Sequence, residues 1–198
     1  MQPAKLNYKI YQGSTFQEVF RWESQTKGYA QISAITKAAP CVITTSANHS
    51  IPAGWRVRVT GAGGMKELNQ TSDDQFYIAT DVTSNTITLN QVNSSQYTTY
   101  TTGGVVEYNT PVPLAGYTGQ MQIRETIDST TPIIELTTAN GGIIIDTTAS
   151  TIMIRITATQ TRAFTFATAV YSLELTDGSG VVTSFLTGNL TLVPEVTR

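Results

Sequence analysis

The residues that could do chemistry are few and scattered. His49 is the only histidine and Cys41 the only cysteine in 198 residues. A general base needs a partner to orient it, and a hydroxyl nucleophile needs a base beside it. His49 sits in the polar run Ser46-Ala-Asn-His-Ser50 with no carboxylate close in sequence. Any Ser/His/Asp set would have to use it, and no Gly-x-Ser-x-Gly elbow is present. One histidine makes no cluster for zinc. Cys41 follows Pro40 at the head of an apolar strand and reads as a small buried hydrophobe. Gly61, Gly63 and Gly64 lack the Lys-Ser/Thr and the helix of a phosphate loop, so they read as a turn. Asp73-Asp74 and Asp177 offer too few oxygens for calcium. Asn48, Asn69, Asn93 and Asn189 each begin an Asn-x-Ser/Thr triplet, which chance supplies often in so Ser/Thr-rich a chain. The expectation is no catalytic residue, no metal and no cofactor.

Aromatic residues are the better candidates for function. Trp55, Tyr97, Tyr100 and Tyr108 fall between residues 30 and 109. Such rings either fill a small core or anchor a partner, because aromatic anchors dominate interface energy. Gln96–Thr102 is a threonine-rich polar loop able to project toward a partner. Thr-x-Thr surfaces also bind sugars, so a glycan contact involving Trp55 or Tyr100 is an alternative.

These residues must be positioned by strands. Only 13% of residues are charged, about half the usual share. Threonine, serine, asparagine and glutamine largely fill the difference, while Thr, Val, Ile and Tyr favour a pleated, half-buried surface. Net charge is −2, with eight Lys/Arg against nine Asp/Glu in the outer part and four against five in the middle. Neither part carries a basic field for nucleic acid, and no basic run marks a membrane surface. The lone cysteine excludes an intrachain disulfide and fits folding in a cytoplasm. The N-terminus lacks the apolar core of a signal peptide, and no apolar stretch is long enough to span a bilayer.

Read along the chain, a β domain starts, stops and resumes. Strands are expected at Leu6–Tyr11 and Thr15–Trp22, then at Thr118–Glu125, Ile133–Leu136, Ile143–Ile145, Ile152–Thr157, Tyr171–Thr176, Val181–Thr187 and around Leu190 and Leu192. Asn140-Gly141-Gly142 reads as a hairpin turn, and so does Asp177-Gly178-Ser179-Gly180. Thr157–Arg162 is the one segment read as helical. This pattern fits an immunoglobulin-like β-sandwich of residues 1–29 and 110–198. Residues 30–109 are too many for a structureless loop and must fold by themselves. Their strands are expected at Ala30–Lys37, Cys41–Thr45, Arg56–Thr60, Gln75–Val82, Thr86–Leu89 and Gly104–Tyr108. A small inserted β-barrel fits, since closing the sheet removes exposed edges. The fold class is therefore all-β, a sandwich interrupted by an inserted barrel.

The insert carries Ile35-Thr36-Lys37-Ala38-Ala39-Pro40-Cys41-Val42, Gly54-Trp55-Arg56-Val57, Gly61…Gly64-Met65…Leu68-Asn69, Phe76-Tyr77-Ile78, Asn85-Thr86-Ile87-Thr88-Leu89 and Tyr100-Thr101-Thr102-Gly103-Gly104. Over nearly its whole length it resembles a small β-barrel module of tailed-bacteriophage tail proteins. That module is itself similar to the first catalytic-cysteine half-domain of ubiquitin-activating enzymes, in fold and pattern only. Cys41 is not read as catalytic. Position 55, where the module often carries a small or polar residue such as Asp, is Trp here, which marks a candidate contact. The outer pieces Tyr11-Gln12-Gly13-Ser14-Thr15-Phe16, Leu114-Ala115-Gly116-Tyr117-Thr118, Met121-Gln122-Ile123-Arg124, Tyr171-Ser172-Leu173-Glu174-Leu175 and Gly188…Pro194-Glu195-Val196 resemble, more loosely, small β-sandwich proteins of phage tails, including N-terminal domains of upper baseplate proteins.

The resemblance implies a non-enzymatic structural part of a virion, in tail, baseplate or neck, folded in the host cytoplasm before assembly. Its partners would be other virion proteins and copies of itself in a symmetric array. A capsid decoration protein or head fibre is one alternative. A carbohydrate-binding module or adhesin that takes a host-surface glycan is another.

Overall fold

Period-two alternation of β-branched and polar residues runs through both parts of the chain, and the computed structural model, described over residues 2–196, is built almost wholly of strands. Two units form. One holds the residues up to Arg21 and those from Pro113 onward; the other is Trp22–Val112. In chain order the first unit opens with β1 (Ala4–Lys5), β2 (Tyr8–Tyr11) and β3 (Phe16–Arg21). The second supplies β4 (Glu23–Ile35), β5 (Cys41–Thr45), β6 (Trp55–Thr60), β7 (Tyr77–Ala79), β8 (Asp81–Val82), β9 (Thr86–Leu89) and β10 (Val105–Pro111). The first resumes with β11 (Thr118–Arg124), β12 (Ile134–Thr137), β13 (Ile143–Asp146), β14 (Thr151–Ile156), α1 (Ala158–Arg162), β15 (Thr168–Thr176) and β16 (Val182–Val193).

The first unit is a two-sheet sandwich. Its larger sheet runs β1-β16-β15-β11-β12, with β2 also on β16; the smaller is β13-β14-β3. β1 and β2 lie parallel to β16, and the other pairings are antiparallel. Inward residues alternate as the sequence says: Met121 and Ile123, Ile152, Ile154 and Ile156, Leu173 and Leu175 are all buried. Burying each such side chain contributes about 1.5–3 kcal/mol against exposure. Tyr8 meets Phe16 edge-on at 5.4 Å, and Phe20 meets Phe185 at 6.3 Å, each contact bridging the two sheets. α1 is one short turn. Its start is fixed by a capping box in which Thr157 and Gln160 satisfy each other's backbone N–H groups.

The strand predicted at Leu6–Tyr11 begins only at Tyr8, and a separate short strand, β1, precedes it. β1 and β2 break at Leu6-Asn7, where the Leu6 carbonyl turns inward and accepts from Tyr171 Oη at 3.0 Å. Asn7 Oδ1 accepts the Asn189 N–H at 2.9 Å. Only glycine fits opposite: a Cβ on Gly188 would lie 1.7 Å from the Leu6 oxygen. With no side chain there, β16 continues unbroken through Gly188.

Asn140-Gly141-Gly142 is not the hairpin predicted. β12 pairs with β11 in one sheet, whereas β13 pairs with β14 in the other, so the segment crosses between layers. The Asn140 side chain makes the corner. Its Oδ1 accepts the Thr137 and Gly142 N–H groups at 2.8 and 3.0 Å, and its Nδ2 donates to Glu135 O at 2.9 Å. Those bonds end β12 before a ladder to β13 can start.

The second unit is a nearly closed antiparallel barrel of order β7-β6-β10-β4-β5-β9-β8. The run predicted as one strand, Gln75–Val82, breaks at Thr80. β7 pairs with β6 at one end of the sheet and β8 pairs with β9 at the other. Thr80 stitches the ends together: its N–H and Oγ1 both donate to Thr88 O at 2.9 Å, and its Oγ1 accepts from Asn90 N at 3.2 Å. Closure leaves little free edge. The interior holds Trp55, Val57 and Val59 of β6, Cys41 and Ile43 of β5, Ile87 and Leu89 of β9, and Met65 and Leu68 from the connection that follows β6.

Candidate functional site

The second unit has a polar cleft beside β4, β6 and β10. Strand alternation aims Arg56 and Arg58 of β6 outward, while Trp55, Val57 and Val59 point in. Register then places Glu107 of β10 opposite Arg58, and Asn109 opposite Lys27 of β4. The loop carrying Asp73 and Phe76 closes the cleft.

The charges in it are matched. Arg56 binds Glu23 in a fork, Nε to Oε1 at 2.8 Å and Nη2 to Oε2 at 2.6 Å, and Asn109 Nδ2 adds a third bond to Oε2 at 3.0 Å. Its guanidinium lies 5.2 Å from the centre of the Phe76 ring, a cation–π contact. The hydrogen bonds to Glu23 hold Arg56 more firmly charged. Lys27 Nζ lies 2.7 Å from Glu107 Oε1, and Arg58 pairs with Asp73. Arg58 Nε is buried with no hydrogen-bond partner. The cleft therefore offers fixed, mutually neutralised charge and one exposed ring, an arrangement suited to adhesion. Proton transfer would need a group poised between two states. Residue spacing could not reveal this cleft, because Glu23, Arg56 and Glu107 meet only through sheet register and Asp73 only through the loop after β6.

Of the four aromatic candidates, Tyr108 lines this cleft and Trp55, Tyr97 and Tyr100 do not. Trp55 is fully buried, its indole N–H donating to Asn109 O at 2.6 Å. Tyr108 is also in the core, with its Oη 3.2 Å from Ser50 Oγ. Tyr97 and Tyr100 are half-buried against that core, and Tyr100 Oη donates toward Ile32 O and Gly103 O at 3.0 and 2.9 Å. The rings thus serve the barrel's own packing, and Trp55 and Tyr108 have almost no surface left for a partner. The signal was present: Trp55 is in phase with Val57 and Val59. Gln96–Thr102 keeps most of its residues exposed but is anchored to the barrel. Thr98 donates through N–H and Oγ1 to Glu67 Oε1, both at 2.8 Å, and Thr101 N–H reaches Gly63 O at 2.9 Å. Gly61-Ala-Gly-Gly64 serves this loop, since a Cβ on Gly64 would lie 2.1 Å from Thr99 O.

His49 and Cys41 are held in place within the barrel. His49 Nδ1 accepts the Ile51 N–H at 3.2 Å, which leaves Nε2 to carry the proton and donate to Thr86 O at 3.3 Å. Burial pushes its pKa below the usual imidazole range, so the ring is neutral near pH 7. Cys41 is fully buried, and desolvation pushes its thiol up, away from the reactive thiolate. Its neighbour Ser94 is buried too, donating to Thr36 O at 2.6 Å and accepting from Ala38 N at 3.1 Å. Asp177 Oδ1 accepts from Ser179 N, Ser179 Oγ and Val181 N at 2.9, 2.7 and 3.0 Å, fixing the β15–β16 turn. Among the described residues no three His, Cys, Asp or Glu side chains are grouped to hold a metal ion. No protein-family model matches this chain, and comparison with curated proteins finds no relative.

Proposed function

We propose that the chain is a non-enzymatic structural component of a tailed-phage particle, in the tail, baseplate or neck, that acts through repeated protein–protein contacts. The observation that carries this reading is the state of its polar groups. The carboxylates of the cleft beside β4, β6 and β10 are engaged by cations, and the histidine and cysteine are tied into the barrel. What remains outward is low in charge and rich in threonine, a surface that docks with little desolvation cost. The phage address rests on the resemblance of residues 30–109 to a tail-protein module. The capsid and glycan readings gain no specific support, and Trp55, the ring that would stack on a sugar, is enclosed.

Purified particles of the phage that encodes the chain test this. Mass spectrometry should find it in many copies per particle, and electron microscopy should place both β units in tail, baseplate or neck. Absence from mature particles would end the reading.

A further inference from the structure

The outer face of the three-stranded sheet carries an apolar row that is left partly exposed among the described residues. Register sets Ile144 of β13 opposite Met153 of β14, and Met153 opposite Val19 of β3. Ile144 is 39% exposed, Val19 is 44% exposed, and Met153 is half-buried. The next row along the strands is Asp146, Thr151 and Arg21, with the acid on one edge strand and the base on the other. Both charges are exposed. On the opposite side of the apolar row lie Arg155 and Gln17.

This face is complementary to itself. A two-fold axis running along β14 lays Ile144 on the second copy's Val19 and Met153 on Met153. The same rotation brings Asp146 against the second copy's Arg21, twice by symmetry. We propose that this face is a self-association surface, in which a second copy of the chain docks isologously about that axis. The inference rests on the structural reading above and names the surface of one of its contacts. The patch spans three strands, roughly 10 Å across at the usual strand spacing. It therefore buries far less than the roughly 1,200 Å² of a free-standing interface. The contact is a weak one that an array multiplies. Arg155 meets its own copy near the axis, and its long side chain carries the charge aside to solvent.

The test is cross-linking of the purified full chain through Met153→Cys with a short bismaleimide; Cys41 is buried and inert. Covalent dimer should rise with protein concentration and exceed that from Ser172→Cys on the outer face of the other sheet. In the Met153→Cys background, Arg21→Glu or Asp146→Lys alone should lower the dimer yield about tenfold through like-charge contact. Mixing those two variants should restore it as a mixed dimer, because each then supplies the charge the other lacks. Arg155→Gln should raise the yield. Asp146 Oδ1 also holds the β13–β14 turn through the Thr148 and Ala149 N–H groups. If D146K fails to fold, Arg21→Glu and Val19→Lys decide, and both should suppress dimer. A dimer yield no higher than that of S172C, or one indifferent to Arg21 and Val19, overturns the proposal. Such a null with the chain present in particles removes this surface alone; a chain absent from particles removes the structural reading instead.

Discussion

Trp55 shows how one residue can be mistaken for its opposite. Set between Gly54 and Arg56 it resembles an exposed anchor, yet it fills the barrel and bonds Asn109 O. Trp55→Ala should cost about 3–5 kcal/mol, the usual range for emptying an aromatic core site. Urea denaturation followed by circular dichroism would measure it. His49 makes a prediction of a different kind. Burial lowers its folded pKa below the unfolded value of about 6.5, so the unfolded chain binds the proton more tightly. Its contribution is fully present above that unfolded value and is lost as pH falls through the folded one. The urea midpoint should therefore drop as pH falls below about 6.5, and His49→Gln should flatten that part of the curve. Glu67, Asp74, Glu135 and Asp177 also have lowered values, held down by hydrogen bonds to their charged forms, and act in a separate, more acidic window.

At the scale of elements, closure of the barrel hangs on Thr80, a residue with no helix, charge or ring to recommend it. Thr80→Val keeps the shape and the backbone bond to Thr88 O but loses the two Oγ1 bonds, to Thr88 O and from Asn90 N. A loss of about 1–2 kcal/mol is expected, with faster hydrogen exchange at the Asn90 amide. Alternation alone located Cys41–Thr45 and Thr86–Leu89 to the residue, because one face of each is buried. It missed the start of β4. Glu23–Lys27 has no apolar face and is held instead by backbone pairing with β10, which periodicity does not register. It also misread Asn140-Gly141-Gly142, because a turn's chemistry fixes the local bend and not which sheet receives the next strand. The charged cleft was illegible for a related reason: its members become neighbours only when register and the loop after β6 are set.

At the scale of the molecule, the barrel has its own core, its own closure and its own boundaries. Residues 22–112 expressed alone should fold. The expected signs are a cooperative urea transition and slow reaction of Cys41 with thiol reagents until that transition. A chain that labels at once and shows no transition would count against autonomy. The boundary itself carries a further lesson. Trp22 and Val112 meet where the Val112 N–H donates to Trp22 O at 2.9 Å, so the polypeptide leaves the barrel beside the point where it entered. To the sandwich, everything between is equivalent to the tip of a hairpin, and lengthening or shortening such a tip changes its closure entropy only slowly. Evolution, or an engineer, can therefore exchange the whole cassette for a different one, or for a few turn residues, without asking the host to refold.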